Sequence, residues 1–248
     1  DGIIQYIINK IAIPNKIFVE FGVETYSESN TRFLLLNNNW SGLVLDGCSK
    51  NIEFIKKDFT YWKYDLTAKQ TFITKDNINE LIANYTTIKD IGLLSVDIDG
   101  NDYWVWDAIN VVNPRIVICE YNSIFGAVKA VTIPYKADYV KSNAHYSELY
   151  FGASLNAFCQ LAEQKGYDFV GTSSAGVNAY FVRKDLSSPF KKFTSKTGFN
   201  ESANRDSKGK KGELLFLRHH ERMKVIENLP IYHIDTKSEG SIKSIFNQ

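Results

Sequence analysis

The sequence predicts an α/β fold: a seven-stranded, mostly parallel sheet with helices on both faces and an antiparallel hairpin at its end. Three observations carry this. Short β-branched and aromatic runs alternate with segments of helical period, several of these runs are apolar on both faces, and the last two are separated only by a turn.

Strands are expected at residues 17–21, 42–46, 61–64, 91–97, 115–120, 168–171 and 178–183. Between them Ile78, Leu81, Ile82 and Tyr85 recur at helical spacing, as do Leu155, Phe158, Cys159 and Ala162. The second of these runs stops at Gly166, a residue suited to ending a helix. Residues 172–177 read as the hairpin turn, and residues 187–213, rich in Lys, Ser, Gly and Asn, as a mobile loop. A helix over 214–227 and a short strand over 231–234 complete the chain. The expected organisation is a domain at 1–186 and an extension at 187–248 packed on it. Five βα repeats followed by a helix and a strand pair is the element order of the Rossmann-like class I methyltransferase sheet. A nicotinamide-binding Rossmann domain more often ends in a sixth parallel strand.

With 44% hydrophobic and 14% aromatic residues in 248, the chain can bury one large core. A net charge of +1, with both signs interspersed, gives no reason to expect nucleic acid or an anionic membrane as principal partner. Cys48, Cys119 and Cys159 are odd in number and lack CxxC spacing, so they read as buried small residues of a reducing cytoplasm. No apolar run approaches the roughly 18 residues of a membrane span, and the N-terminus lacks the pattern of a secretion signal. A soluble, cytoplasmic protein is expected.

Residues suited to chemistry gather where the predicted strands end. Val19-Glu20-Phe21-Gly22 closes the first strand with an acid and a glycine, and a helical pattern resumes near Asn30. Glycine permits close approach of a ligand, and a helix N-terminus offers free N–H groups to a carboxylate; a tight structural turn is the alternative. The second strand ends at Asp46-Gly47, where an acid can accept both ribose hydroxyls of a nucleoside, a pairing that suits S-adenosylmethionine (SAM) and NAD alike. Asp65, after the expected third strand, is placed to accept an adenine amino group or to serve as a cap.

The fourth strand ends in Asp97-Ile98-Asp99-Gly100-Asn101-Asp102, and the fifth delivers Glu120 with Asn122. In a strand Asp97 and Asp99 point the same way, and with Glu120 and Asn122 they make an all-oxygen set suited to Mg2+. The alternative is that these acids cap the next helix and bind a cofactor amine. A DxDG phosphatase nucleophile is disfavoured because three βα units precede it. Among the four histidines, His145 lies in the long connection after the fifth strand and is the candidate general base, with a solvated loop residue as the alternative. His219 and His220 read as structural or exposed. Lys191, Lys192, Lys196, Lys208, Lys210, Lys211 and Arg205 suit an anionic acceptor, or simply a solvated loop.

The chain resembles the FkbM-like methyltransferases, in the bacterial branch with an SxDIDGNDYWVW block. The residues that carry this are Phe18-Val19-Glu20-Phe21-Gly22, Glu28-Ser29-Asn30-Thr31, Trp40-Ser41-Gly42-Leu43, the block at 94–106, Cys119-Glu120-Tyr121-Asn122, Pro134-Tyr135, Gly152-Ala153-Ser154-Leu155 and 176–183. The resemblance covers about 15–185. It implies SAM as cofactor, held by Glu20, Gly22, Asn30, Asp46, Gly47, Asp65 and Asp97, and an oxygen acceptor on a sugar, glycan or small natural product. Related sugar O-methyltransferases hold a divalent metal with acids after the fourth and fifth strands. Asp97 and Glu120 match by position, while Tyr121 and Asn122 stand where those enzymes carry a further acid. Two readings of other classes remain: a scaffold that has lost catalysis, suggested by the glycine-poor first loop, and an NAD-dependent oxidoreductase, disfavoured by the terminal hairpin.

Overall fold

A computed structural model describes residues 2–204, 207–218 and 220–247, so His219 and Arg205 lie outside the described residues. The chain runs α1 (Gly2–Ile8), β1 (Ile17–Phe21), α2 (Arg32–Asn38), β2 (Ser41–Asp46), α3 (Ser49–Lys57), α4 (Phe59–Lys63), β3 (Leu66–Gln70), α5 (Ile78–Ala83), β4 (Leu93–Val96), α6 (Asp102–Ala108) and β5 (Ile116–Glu120). A 3-10 turn (Ser123–Phe125), β6 (Val131–Thr132) and α7 (Lys141–Ala144) lead to α8 (Leu155–Lys165), β7 (Tyr167–Thr172) and β8 (Asn178–Arg183). Then come α9 (His220–Ile226), β9 (Pro230–His233), β10 (Ser238–Ser241) and α10 (Ile242–Phe246).

Seven strands form one sheet in the order β3-β2-β1-β4-β5-β8-β7, and β10-β9-β6 form a second. β1 pairs in parallel with β2 and with β4, and β2 with β3. β7 and β8 are neighbours joined by the turn 173–177, where the Ser173 N–H donates to the Asn178 carbonyl at 2.8 Å, so they make the expected antiparallel hairpin. Strand order reversing after β1 and a hairpin in place of a sixth parallel strand define the Rossmann-like arrangement of class I methyltransferases.

The chain divides into two compact units: Asp1–Ile98, Val105–Ile118 and Val182–Pro189 form one, and Asp99–Trp104, Cys119–Phe181 and Phe190–Gln248 the other. In the first unit Phe18, Val19, Phe21, Leu43, Val44, Leu45, Leu93 and Leu94 are fully buried, as strands covered on both faces must be. Each contributes roughly 2 kcal/mol of burial. Beyond them Asp90 accepts from Arg115 Nε at 3.0 Å and Arg183 Nη1 at 2.8 Å, and Arg115 Nη1 also donates to the Ala12 carbonyl at 2.6 Å. The Arg115 bond, with Arg183 beside it, holds the Asp90 carboxyl below its ordinary range.

One predicted strand is a helix. Residues 59–63 are aromatic and β-branched, yet Asp58 accepts from the Thr60 N–H at 2.9 Å and caps a helical turn there. That turn leaves Trp62 76% exposed. The third strand begins only at Leu66, where Leu66 and Ala68 alternate into the core.

In the second unit Ser154 caps α8 by accepting from the Ala157 N–H at 3.1 Å, and the helix stops at Gly166 in the left-handed region, φ 84°, as expected. Leu155, Phe158 and Ala162 are its buried stripe. The smaller sheet closes over a cluster containing Phe125, Val131, Ile133, Leu149, Ile226, Ile231, Ile242 and Ile245, so residues from the chain's last part share a core with the connection after β5.

Within the lysine- and serine-rich segment, residues 200–202 hydrogen-bond to neighbouring elements. Tyr121 Oη donates to the Asn200 carbonyl at 2.5 Å, the Ser202 N–H donates to Ser123 Oγ at 3.0 Å, and Arg222 Nη2 donates to Glu201 at 2.9 Å. The helix expected from residue 214 covers only His220–Ile226; Lys208 and Leu214 instead bridge as a small hairpin. Cys119 is buried as expected and Cys159 partly so, but Cys48 is exposed at the start of α3. No helix among the described residues is long and apolar enough to cross a membrane.

Candidate functional site

The pairings Phe21↔Leu45 and Glu20↔Ser95 bring the carboxyl ends of β1, β2 and β4 to one edge of the first unit. That edge is where open α/β sheets bind ligands. Gly22 follows β1 with φ 66°, and a Cβ built on it would meet the Asp97 carbonyl oxygen at 1.7 Å. No side chain fits between the first loop and the end of β4.

The Glu20 side chain turns to its own loop. It is buried, and its oxygens accept from Asn30 N at 2.9 Å, Thr31 N at 3.1 Å and Thr31 Oγ1 at 2.5 Å. Burial pushes its carboxyl up, against the opposing pull of the Thr31, Asn30 and Ser95 contacts. Because Thr31 spends its hydroxyl proton on Glu20, Tyr26 Oη must donate to Thr31 Oγ1, 3.0 Å away. Asn30 Nδ2 donates to Ser95 Oγ at 3.1 Å, tying the same loop to β4. Glu24 and Tyr26 also hold positive φ, 47° and 61°, conformations that persist only where contacts over-determine them. Glu20 therefore shapes the loop, and Asn30 is spoken for by Glu20 and Ser95.

Asp46 is buried at the end of β2. Its Oδ2 accepts from Glu24 N at 2.8 Å, and its Oδ1 from Cys48 N at 2.7 Å and Asn51 Nδ2 at 3.1 Å. A carboxylate offers about four acceptor positions, so room for about one further donor remains. Accepting two ribose hydroxyls requires Glu24, Cys48 or Asn51 to give way. The Gly47 carbonyl accepts from Gln70 Nε2 at 3.1 Å, and a Cβ on Gly47 would come no nearer than 3.7 Å to any atom, so space does not demand a glycine there.

Asp65 is at the opposite edge. It precedes β3, is exposed, and its backbone carbonyl accepts from the N–H of Gly42 near the start of β2. The residues that do reach the carboxyl end of β3 are Gln70, Thr71 and Phe72, with Thr71 N donating to the Asp46 carbonyl at 2.9 Å and Phe72 exposed. The expected strand lies five or six residues earlier in the chain, which concealed them. Ser95 and Asn51 were likewise not anticipated, since short polar residues carry no pattern of their own.

The acidic block divides. β4 ends at Val96, so strand alternation does not extend to Asp99; Asp97 is half-buried at that end. In the second unit, Asp99 has φ 56° and is ion-paired with Lys141. Gly100 leaves the space that the Tyr139 ring fills, Asn101 Nδ2 donates to the Lys136 carbonyl at 2.8 Å, and Trp104 Nε1 donates to the Ile133 carbonyl at 2.9 Å. Asp102 is buried and accepts from the Gly100 N–H at 2.8 Å. Most of the block thus pins the connection between β5 and α8.

Asn122 does the same from β5: its amide N–H groups go to the Leu149 and Phe151 carbonyls, both at 3.0 Å, and its oxygen accepts from Ile124 N at 3.1 Å. The Mg2+ set of Asp97, Asp99, Glu120 and Asn122 is accordingly not assembled. Among the described residues no group of three or more His, Cys, Asp or Glu side chains is gathered to hold a metal.

His145 is partly buried in the second unit, its ring 4.2 Å from that of Tyr146. Ser147 Oγ lies 2.7 Å from Nδ1, and Ser147 N–H donates to Nδ1 at 3.3 Å. Since Ser147 Oγ also accepts from Leu149 N, this pattern assigns the neutral-ring proton to Nε2. Burial, then Lys210, depress the ring's pKa, which favours the neutral imidazole.

No protein-family model and no curated protein matches the chain. Similar solved structures include PKMT2 from Rickettsia typhi in complex with AdoHcy, at TM-score 0.47 and 12% identity over 74% of this chain and 52% of that one, about half its length. The N-terminal domain of EvdMO1 with SAH bound gives 0.43 and 7%, over 73% and 78% of the two chains. The plantazolicin methyltransferase BamL, in complex with a triazolic desmethylPZN analog and SAH, gives 0.44 and 11%, over 74% and 84%.

Proposed function

We propose that the chain is a SAM-dependent methyltransferase acting on a hydroxyl oxygen of a sugar, glycan or small natural product. The observation that carries this reading is the edge where β1, β2 and β4 end together, bringing Gly22, Asp46 and Asp97 to one place within residues 1–186. The acceptor set suits a cationic nucleoside whose ribose, amine and adenine amino groups seek oxygen acceptors. When bound, SAM supplies an electrophilic methyl group.

Glu20, through Asn30 and Thr31, holds the first loop in its left-handed shape, and Gly22 lets that loop lie directly on the end of β4. Asp46 offers its remaining acceptor position to the ribose, and Asp97 to the cofactor amine. Phe72, exposed after β3, takes the place intended for Asp65 and offers an apolar face to a base. In the second unit, Glu120 ends β5 and is the proposed acid or base. Mg2+ has no part in this reading, because among the described residues no group of three or more His, Cys, Asp or Glu side chains gathers around a cation. Preference for an oxygen acceptor rests on the family resemblance.

Calorimetry with SAM and S-adenosylhomocysteine tests the proposal. Binding is expected and should be lost in Asp97→Asn; absence of heat at millimolar ligand would overturn it. The nearly filled Asp46 carboxylate favours a second reading, a scaffold without catalysis. That reading requires no methyl transfer to any acceptor in a broad screen, and one reproducible methylated product eliminates it.

A further inference from the structure

The hydrogen-bond acceptors around the end of β2 are almost all engaged. The Asp46 carbonyl receives Thr71 N at 2.9 Å, the Gly47 carbonyl Gln70 Nε2 at 3.1 Å and the Cys48 carbonyl Ile52 N at 3.3 Å. The Asp46 carboxylate receives Glu24 N, Cys48 N and Asn51 Nδ2, which fill three of its roughly four acceptor positions. A ribose brings two neighbouring hydroxyl donors to this corner, and the carboxylate as it stands can satisfy one of them.

Asn51 carries the acceptor that the second hydroxyl needs. It lies in the first turn of α3, is half-buried, and belongs to the same compact unit as Asp46. An ionised carboxylate only accepts, so the amide must meet Asp46 through its nitrogen, which fixes the orientation of the group and turns its oxygen away from Oδ1. Among the described residues this is the one hydrogen bond of the Asn51 side chain. Its oxygen, bonded to the same carbon as the nitrogen that touches Asp46, therefore stands open beside the carboxylate. Gln70, the other amide of this corner, is exposed and turned to the Gly47 carbonyl.

We propose that Asn51 is a ribose-recognition residue: one hydroxyl of the bound nucleoside donates to the remaining position on Asp46 and its neighbour donates to Asn51 Oδ1, while Asn51 Nδ2 stays on Asp46. The inference rests on the SAM reading above and adds to it the chemical feature that is read, an intact 2′,3′-diol. Seating the diol this way displaces neither Glu24 nor Cys48. The pair selects a ribonucleoside over a deoxyribonucleoside, because a missing hydroxyl leaves a half-buried acceptor unpaired.

Calorimetry of the full chain with S-adenosylhomocysteine and with its 2′-deoxy and 3′-deoxy analogues is the test. The parent should bind both analogues more weakly than S-adenosylhomocysteine. Asn51→Ala should bind S-adenosylhomocysteine roughly fivefold more weakly, the worth of one neutral hydrogen bond, and should no longer distinguish it from one of the two analogues. Asn51→Lys keeps a donor on Asp46 and brings no acceptor, so it should lose the same distinction. Gln70→Ala should keep the parent's preferences. An Asn51→Lys protein that discriminates against both analogues as the parent does, an Asn51→Ala protein that binds S-adenosylhomocysteine more tightly, or a preference lost in Gln70→Ala would each overturn the role of Asn51 and leave the SAM reading standing. A parent that gives no heat with S-adenosylhomocysteine overturns both.

Discussion

Replacing Gly22 with alanine tests the close approach of the first loop to β4. The new Cβ would lie 1.7 Å from the Asp97 carbonyl oxygen and 2.8 Å from its carbon, both backbone atoms that no rotamer change can move. To reach ordinary contact the two chain segments must part by about 1.5 Å, yet Glu20↔Ser95 pairing and the Gly22 N to Leu45 O bond at 2.9 Å hold them in place. The left-handed φ costs an alanine about 1–2 kcal/mol. Loss of the Gly22 hydrogen bond adds about 1 kcal/mol, and fraying of the strand end a similar amount. A total of about 3–4 kcal/mol lowers the melting temperature of a chain this size by about 10 °C. Gly47→Ala is the control: its Cβ meets Phe72 at 3.7 Å, an ordinary contact, and should change stability by less than about 0.5 kcal/mol. Thermal and urea unfolding followed by circular dichroism measure both. A Gly22→Ala protein within about 1 kcal/mol of the parent, or a Gly47→Ala protein equally damaged, would refute the geometry.

Three further outcomes are expected. Asp97→Asn should abolish methyl transfer while circular dichroism and melting temperature remain near the parent's, since Asp97 follows β4 and is only half-buried; transfer that persists removes Asp97 from the chemistry. Asp90→Ala should cost about 2 kcal/mol at neutral pH, because it strips charged hydrogen bonds from Arg115 and Arg183. As the Asp90 pKa is lowered below 3.8, its contribution is present above that pH and fades as acid takes the folded carboxyl through its own pKa; a parent–variant gap that vanishes well above pH 3.8 contradicts this. His145 should titrate below 6.5 by NMR, and Lys210→Gln should raise its midpoint. With its folded pKa depressed, His145 contributes stability above the unfolded pKa that is lost as pH falls through the folded one, so a midpoint at or above 6.5 would be inconsistent with its surroundings.

Periodicity and strand-end chemistry made the sheet legible, because apolar β-branched runs have few other fates. The hairpin 178–183 with its preceding strand and the helix stop at Gly166 follow from local rules alone. The third strand escaped because Leu66-Thr67-Ala68-Lys69-Gln70 is a weak strand former beside the aromatic Phe59-Thr60-Tyr61-Trp62-Lys63, whose helical turn is decided by one cap from Asp58. At the candidate site, sequence marked Glu20, Asp46 and Asp97 but not what each acid faces. Asp99 meets Lys141 and Asn101 meets Lys136, partners decades of residues downstream that no spacing encodes. A carboxylate that binds a ligand and one that pins a loop look alike until the fold places their donors.

The helical turn at Phe59–Lys63 also supplies the protein with its own spectroscopic reporter. Trp62 stands 76% exposed while Trp40 and Trp106 are buried, so iodide should quench Trp62 first and leave the interior indoles emitting. Shielding of that quenchable fraction on adding a ligand or surface would report contact at α4 without any label.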